Sequence, residues 1–283
     1  MQYIDLHVHT TASDGTCTPS EVMKIGERIG LKAIAITDHD TLKGLDEVGK
    51  TSKKSPIEVV SGIEISSEWE GTEIHLLAYL LDNISDDLRD TIKKLKLSRE
   101  SRNEGIAYLL NRDGVRVSIE KLRSESRTRI IGRPYFARLL IDKGLAKEIP
   151  EAFQKYLTPG KPYFVKRVFP DVKSCLSALR NSGGVPVLAH PIKYNFSNEM
   201  LLDCISELKN NGLCGIECMY SGYSKEQVEY LTEIAKKFNL CRTGGSDFHG
   251  KNKPDIRLGY GYGELRVPYE YLASLKDAKQ KYG

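Results

Sequence analysis

The chain holds six histidines, and each stands in a short polar motif: His7 and His9 in LHVHT, His39 in TDHD, His75 in EIHLL, His190 in LAHP and His249 in SDFHG. A neutral imidazole is the commonest nitrogen ligand of catalytic transition metals. Carboxylates lie close by. Asp14 follows the first pair, Glu64 precedes His75 by eleven residues, and Asp247 precedes His249 by two. His7 and His9 are two apart in a strand-like stretch, so both project to one face and can reach a common ion. Ligand types in this number point to more than one ion, and grouped cations suit phosphate chemistry. A phosphate ester resists hydrolysis because water is a poor nucleophile and anionic oxygens repel hydroxide; cations relieve both obstacles. A nitrogen-and-oxygen set without thiolate favours manganese, iron or zinc and is too rich in histidine for magnesium alone. More than one divalent ion is therefore expected. Asp38 and Asp40 flank His39 and read as groups that orient imidazoles from behind.

Elements between these motifs must bring them together. Residues Tyr3 to His9 alternate as a strand. Thr18-Pro19-Ser20-Glu21 reads as a capped helix start, and Gly30 ends that helix near Ile29. Strands follow at Lys32 to Ile36, Ile57 to Ile65 and Thr72 to Leu81, with a short helix after Asp40. Runs such as AIAIT and EVVSG are almost continuously apolar, as parallel strands covered on both faces are. Ser85 then begins a long helix that Gly114 ends, followed by shorter helical stretches near Ile119, from Pro134 to Ile141 and around Ala152. A strand-like character returns only at Tyr163-Phe164-Val165. From Val172 the strand–helix rhythm resumes, with strands at Val185 to Ala189, Cys214 to Met219, Leu240 to Thr243 and Leu258 to Val267, and a last helix. Such repeats favour an α/β barrel interrupted by a helical insertion: barrel at 1–82 and 168–283, insertion at 83–167. A doubly wound open sheet is the alternative, but no GxGxxG turn follows the first strand. In a barrel, strand ends gather at one mouth, which is where His39, Glu64, His190, Asp247 and His249 fall.

At 283 residues, with 40% hydrophobic and 28% charged residues, the chain has the composition of an ordinary globular protein. No apolar run approaches the roughly 20 residues needed to span a bilayer. MQYIDLHVHT enters a strand at once, without the basic region of a signal peptide. The six cysteines show no CxxC spacing, which fits reduced thiols and a cytoplasmic location. The net charge of +4 is uneven: between Asp82 and Pro170 there are 20 Lys+Arg against 12 Asp+Glu, while the remainder is acidic on balance. An acidic shell that can hold cations is thus paired with a basic segment that can attract an anion, though charge alone favours a solvated helical surface with surplus lysine.

HxH on the first strand, TDHD on the second, the glutamate of GIEIS, LAHP, and SDFH near the end resemble the polymerase and histidinol phosphatase (PHP) family over residues 1–81 and about 171–270. The resemblance implies a distorted (β/α)7 barrel with a mostly helical inserted subdomain and a trinuclear metal site that hydrolyses phosphate esters. It implies His7, His9, Glu64 and Asp247 around one ion, Glu64, His75 and His190 around a second, and Asp14, His39 and His249 around the third. Attack by a metal-bridging hydroxide follows, with His249 or Asp247 helping the leaving oxygen gain its proton.

The basic insertion should supply recognition. Gly132-Arg133-Pro134 sets an arginine at a helix start, where anions are attracted and the guanidinium fork matches phosphate oxygens. Lys161 and Arg167 are further phosphate candidates, and Tyr163 and Phe164 can stack a base, unless they are core aromatics. A GRP motif in such an insertion resembles the branch acting on nucleoside 3′,5′-bisphosphates and short oligonucleotides. The expected substrate is a nucleotide or short oligonucleotide, with no obligate protein partner or membrane evident. Phe248 departs from the smaller residue the family pattern implies and bears on substrate fit. A histidinol-phosphate phosphatase is one alternative and a non-catalytic, metal-stabilised nucleotide-binding barrel another; the basic insertion opposes the first and the full ligand complement the second.

Overall fold

The computed structural model describes residues 2–51, 55–125 and 130–282. Eight strands form one sheet: β1 (Tyr3–Val8), β2 (Ala33–Ile36), β3 (Glu58–Trp69), β4 (Thr72–Tyr79), β5 (Val185–Leu188), β6 (Gly215–Tyr220), β7 (Cys241–Gly245) and β8 (Val267–Pro268). Their order is β7-β6-β5-β4-β3-β2-β1-β8. The sheet curls until β7 meets β1. Asp247 N–H donates to the His7 carbonyl at 2.8 Å and His9 N–H to that of Phe248 at 3.0 Å. Gly245 permits this closure, because a Cβ there would overlap the backbone and Cβ of His7. Buried Asp5 adds a clamp, accepting from Ser246 N–H at 2.8 Å, Ser246 Oγ at 2.6 Å and Gly259 N–H at 2.7 Å. The result is a nearly closed α/β barrel.

Two strands depart from the expected reading. The strand expected at 72–81 forms over Thr72–Tyr79, but β4 runs antiparallel to both β3 and β5. The cause is local: Trp69 pairs with Thr72 across a two-residue turn in which Glu70 and Gly71 both have positive φ (46° and 75°), the geometry of a hairpin. β3 is therefore long and carries Glu64 in its interior rather than at its end. The second departure is Leu258 to Val267, of which only Val267 is in a strand, paired antiparallel with β1. Gly259, Gly261 and Gly263 all take positive φ and turn the chain repeatedly where an extended strand was expected. Tyr163-Phe164-Val165 is likewise irregular.

The first helix, α1 (Pro19–Ile29), begins with the Thr18/Glu21 capping box and ends at Gly30 in the left-handed region. Between β4 and β5 come α2's successors in the chain; α2 itself (Lys43–Thr51) lies between β2 and β3. Those successors are α3 (Asp86–Arg112), α4 (Ile119–Glu125), α5 (Arg133–Asp142), α6 (Ile149–Ala152) with a π turn after it, and α7 (Val172–Asn181). The long α3 serves two cores. Leu88 and Leu95 join Leu176 and Leu179 of α7 against β3 and β4, while Ile106 and Leu110 join Phe136, Leu140, Leu157 and Tyr163 in a separate apolar cluster. Helices α8 (Asn198–Asn210), α9 (Lys225–Lys237) and α10 (Glu270–Tyr282) cover β5 to β8. Among the described residues no helix is long and apolar enough to cross a membrane, and all six cysteines are free.

Candidate metal centre

Glu64 stands at the middle of the barrel mouth and divides its neighbours between its two oxygens. Oε1 lies 2.9 Å from His75 Nδ1 and 3.1 Å from His190 Nε2. Oε2 lies 3.2 Å from His9 Nε2, 3.4 Å from His7 Nε2 and 2.9 Å from His39 Nδ1. Asp247 Oδ1 faces the imidazoles of His7 on β1 and of His9 just beyond it, 3.7 Å from His7 and 3.2 Å from His9. On the far side of His9, Asp14 Oδ1 lies 3.3 Å from His249 Nε2 and 3.7 Å from His9 Nδ1. All nine residues are thus gathered at one mouth. Three overlapping groups offer mutually close ligand atoms: His9, Asp14, His39 and His249; His7, His9 and Glu64; and His39, Glu64 and His75. His9, His39 and Glu64 each belong to two groups, so the set is more interlocked than three separate triads.

These separations suit a cation better than direct hydrogen bonds. Ligands about 2.1 Å from a shared ion stand roughly 3.0–3.5 Å from one another. Six buried atoms here lack a hydrogen-bond partner: His7 Nε2, both ring nitrogens of His9, His39 Nδ1, Glu64 Oε2 and His190 Nδ1. His39 Nδ1 and Glu64 Oε2 approach to 2.9 Å without the angle of a hydrogen bond. A buried polar atom without a partner is costly, and cations shared among them would satisfy His7 Nε2, one nitrogen of His9, His39 Nδ1 and Glu64 Oε2. The cluster is capable of holding metal.

Protonation follows from the same crowding. Burial alone would raise the carboxyl of Glu64, but His39, His7 and His75 outweigh it and hold its pKa well below the usual carboxylate range. Burial works against the charged form of His9 and His75, yet their carboxylate neighbours win, pushing His9 up to about 9 and His75 up to about 10. His249 goes the other way: burial, then Lys253 and His9, lower it to about 4. Its Nδ1–H donates to the Asp247 carbonyl at 2.8 Å, which leaves Nε2 as the bare nitrogen facing Asp14. Two of the positions are also conformationally unusual. His190 and Asp247 follow β5 and β7 with φ of 28° and 56°, and such non-glycine residues cluster at functional sites.

A cleft of about 380 Å³ opens beside Asp14, His39 and His75. Its other wall carries Arg99, Arg102, Arg133 and Arg167, with Phe153, Phe164 and Phe169 among them. Arg133 is half-exposed, 3.5 Å from Glu73 Oε2. Arg167 is buried and committed to Asp40 Oδ2 at 2.8 Å, Ser66 Oγ at 3.2 Å and the Leu95 carbonyl at 3.1 Å. Arg102 is buried; its desolvation, with Arg99, Arg133 and Arg167 nearby, lowers its pKa to about 9. Lys161 is exposed and is not among the side chains lining the cleft. Tyr163 is core, stacked on Tyr156, whereas Phe164 lines the cleft. Phe248 packs with Val8, Val22 and Ile36 behind the rim, away from the cleft.

The model of the PHP domain matches residues 5–134. A 5′-3′ exoribonuclease of Haemophilus influenzae is 33% identical over 87% of this chain and 89% of its own length. A 3′,5′-nucleoside bisphosphate phosphatase of Chromobacterium violaceum is 29% identical over 92% of each chain. The crystal structure of a putative metal-dependent phosphoesterase from Bifidobacterium adolescentis superposes with a TM-score of 0.84 at 30% identity, covering 98% of this chain and 96% of that one. The chain belongs to the PHP domain family. It is a phosphoester hydrolase with a metal-capable centre.

Several residues that shape this PHP centre escaped sequence reasoning. Buried Glu217 on β6 lies 2.9 Å from His7 Nδ1 and accepts from the His190 N–H at 2.7 Å. It sits in the apolar strand GIECMY, where a carboxylate flanked by hydrophobic residues was the available signal. Asp38 and Asp40, expected to orient imidazoles, direct their hydrogen bonds elsewhere. Asp38 holds the loop after β1, accepting from Thr10 N–H and Oγ1 (both 2.7 Å) and Ser13 Oγ (2.5 Å). Asp40 binds Ser66 N–H at 2.9 Å together with Arg99 and Arg167. Tyr220 and Lys253 hold Asp247 Oδ2 at 2.5 and 2.6 Å, so its other oxygen alone faces the histidines. Arg99 and Arg102, on a helix rich in basic residues, were indistinguishable from solvated surface.

Proposed function

We propose that this enzyme hydrolyses phosphate esters of nucleotides, removing the 3′-phosphate of a nucleoside 3′,5′-bisphosphate and trimming short oligonucleotides from the 5′ end. The observation that carries this reading is the pairing of the Glu64-centred ligand cluster with a cleft whose opposite wall holds four arginines. One phosphate engages the cluster while the other is held by guanidinium groups, which match phosphate geometry. The activities printed for the Haemophilus influenzae and Chromobacterium violaceum relatives support the same substrate class.

Within this proposal His7, His9, Glu64 and Asp247 hold one ion, Glu64, His75 and His190 a second, and Asp14, His39 and His249 a third. When bound, two to three divalent ions, manganese foremost with iron or zinc as alternatives, supply an activated water near neutral pH and neutralise charge on phosphorus. The chain's own residues do the rest. Glu217 fixes His7 with Nδ1 protonated, leaving Nε2 to the cluster. Arg102 and Arg133 bind the second phosphate and fix its distance from the reacting one. Phe164 offers a face for the base. His249 and Asp247 serve there as ligands, His249 through the Nε2 left bare by its Nδ1–H bond to the Asp247 carbonyl. Residues 83–167 form the recognition subdomain and 1–82 with 168–283 the catalytic barrel. A reducing, cytoplasmic setting suits the six free cysteines.

The test is metal analysis of the purified protein with phosphate release from adenosine 3′,5′-bisphosphate and a short 5′-phosphorylated RNA, histidinol phosphate being assayed alongside. Turnover of both nucleotide substrates that disappears with chelator and returns with manganese is expected. Turnover indifferent to chelators, or confined to histidinol phosphate, refutes the reading.

A further inference from the structure

A second hollow, of about 230 Å³, opens at the barrel mouth beside β6 and is lined by Lys193, Tyr220, Ser221, Lys253, Asp255 and Tyr262. It stands apart from the arginine cleft. The cleft is built on His39, Glu73 and His75 of the β2–β4 side, whereas Lys193, Tyr220 and Lys253 follow or end β5, β6 and β7. In a closed barrel these are opposite arcs of one rim, with the ligand cluster between them. The hollow touches that cluster through a short chain of contacts: Lys193 Nζ donates to Tyr220 Oη at 3.0 Å, and Tyr220 Oη donates to Asp247 Oδ2 at 2.5 Å.

The two lysines differ in their pairing. Lys253 is matched by Asp247 at 2.6 Å. Lys193 is an exposed residue whose Nζ lies 5.0 Å from the Tyr220 ring centroid and has only a phenol as hydrogen-bond partner, with no carboxylate paired to it among the described residues. Asp255, the acid of the hollow, is exposed at its rim. An ammonium that lines a hollow without a paired counter-charge is a site for an anion.

Hydrolysis of a bisphosphate and of an RNA can break the same bond. In both, water's oxygen and one hydrogen join phosphorus, the P–O3′ bond breaks, and the remaining hydrogen ends on O3′ of the departing nucleotide. The difference is the substituent that phosphorus retains: a free oxygen in the bisphosphate, O5′ of the next nucleotide in the RNA. With the first nucleotide in the arginine cleft, the remaining chain must leave the rim on another side. We infer that the Lys193 hollow is the exit-side subsite for an oligonucleotide and binds the phosphate one step beyond the scissile one. The inference rests on the proposed nucleotide phosphoesterase reading and adds to it a residue that separates chain from mononucleotide substrates.

The experiment compares adenosine 3′,5′-bisphosphate, pApA and pApApA on the manganese-loaded wild-type enzyme and on Lys193→Met and Lys193→Arg. Only pApApA carries a phosphate beyond the scissile one. Lys193→Met is expected to raise KM for pApApA about tenfold, the loss of one charge-assisted contact, with kcat within about twofold. The other two substrates should change less than about twofold, and Lys193→Arg should recover most of the loss. Equal losses on all three substrates would show Lys193 acting only through Tyr220 and Asp247, and would overturn the inference. So would an unchanged pApApA KM, or a wild-type enzyme that hydrolyses the bisphosphate but not pApApA. Failure of the wild type on the bisphosphate and both RNAs instead refutes the underlying function.

Discussion

The carboxylate of Glu217 lies 2.9 Å from Nδ1 of His7 with both side chains fully buried, behind the face that His7 presents to the ligand cluster. Its second oxygen accepts the backbone N–H of His190 at 2.7 Å, so one group braces His7 on β1 and the chain just after β5. A glutamine in its place has one acceptor oxygen and cannot serve both. Outer partners of ligating histidines are commonly worth 10–100-fold in metal affinity or activity. Glu217→Gln is therefore expected to weaken manganese binding about tenfold or more, read by competition with a chelator. A folded variant with wild-type metal affinity would show that this contact does not orient His7.

Protonation gives a second prediction. Without metal, His9 and His75 are pushed up to about 9 and about 10, so at pH 7.5 both carry protons that a ligating nitrogen must give up. Manganese loading at that pH should release protons, measured by titration calorimetry in buffers of different ionisation enthalpy. Heats independent of the buffer would sink this. The sign for stability follows. Folded pKa values raised above the ordinary 6.5 make a contribution that is complete below 6.5 and lost as pH rises towards 9–10. The metal-free protein should become easier to unfold in urea across that window.

The ligands were legible in the sequence because each sits in a short motif at or near a strand, where neighbouring apolar residues place it. What escaped notice follows from physics the sequence does not carry. Periodicity marks 72–81 as a strand but says nothing of its direction; that is set by Glu70 and Gly71, whose tight turn was the overlooked clue. Leu258 to Val267 looked extended because Leu258, Tyr260, Tyr262 and Val267 are apolar or aromatic, yet three glycines in the left-handed region turn it back. Lys193 and Lys253 are ordinary lysines until folding sets one beside the Tyr220 phenol and the other against Asp247. Lys161 looked like Arg133 by charge and motif, and only packing separates them.

The arginine cleft yields a third prediction. Arg102 is buried, its Nε has no partner, and burial with three neighbouring guanidiniums lowers its pKa to about 9. A bound phosphate would relieve that repulsion. Arg102→Met should raise KM for adenosine 3′,5′-bisphosphate by about 10–100-fold, with a smaller change in kcat, since a hydrogen bond to a charged group is worth about 1.5–3 kcal/mol. Arg133→Ala should raise KM less, because Arg133 is half-exposed and already shared with Glu73. Wild-type KM in both variants would place the second phosphate elsewhere.

Asp40 ties the chain after β2 to α3 and gives the last prediction. It belongs to the TDHD motif of the barrel, yet its Oδ2 holds Arg99 of α3 at 2.5 Å and Arg167 at 2.8 Å, while Oδ1 accepts Ser66 N–H of β3. Burial would raise its carboxyl, but Arg167 and Arg99 prevail and keep its pKa well below the ordinary value of 3.8. Its contribution is therefore present above that value and lost only as pH falls beneath it. Removing one partner of a buried ion pair strands the others and costs about 3–5 kcal/mol. Asp40→Ala should lose that much stability in urea unfolding of the chelated protein, with faster hydrogen exchange along α3 than along β1. Asp40→Asn, which keeps an acceptor for Ser66 but not the charge, should fall between. If Asp40→Ala instead unfolds like wild type, or if exchange quickens equally in α3 and β1, the arginines are not what anchors the inserted helices to the barrel.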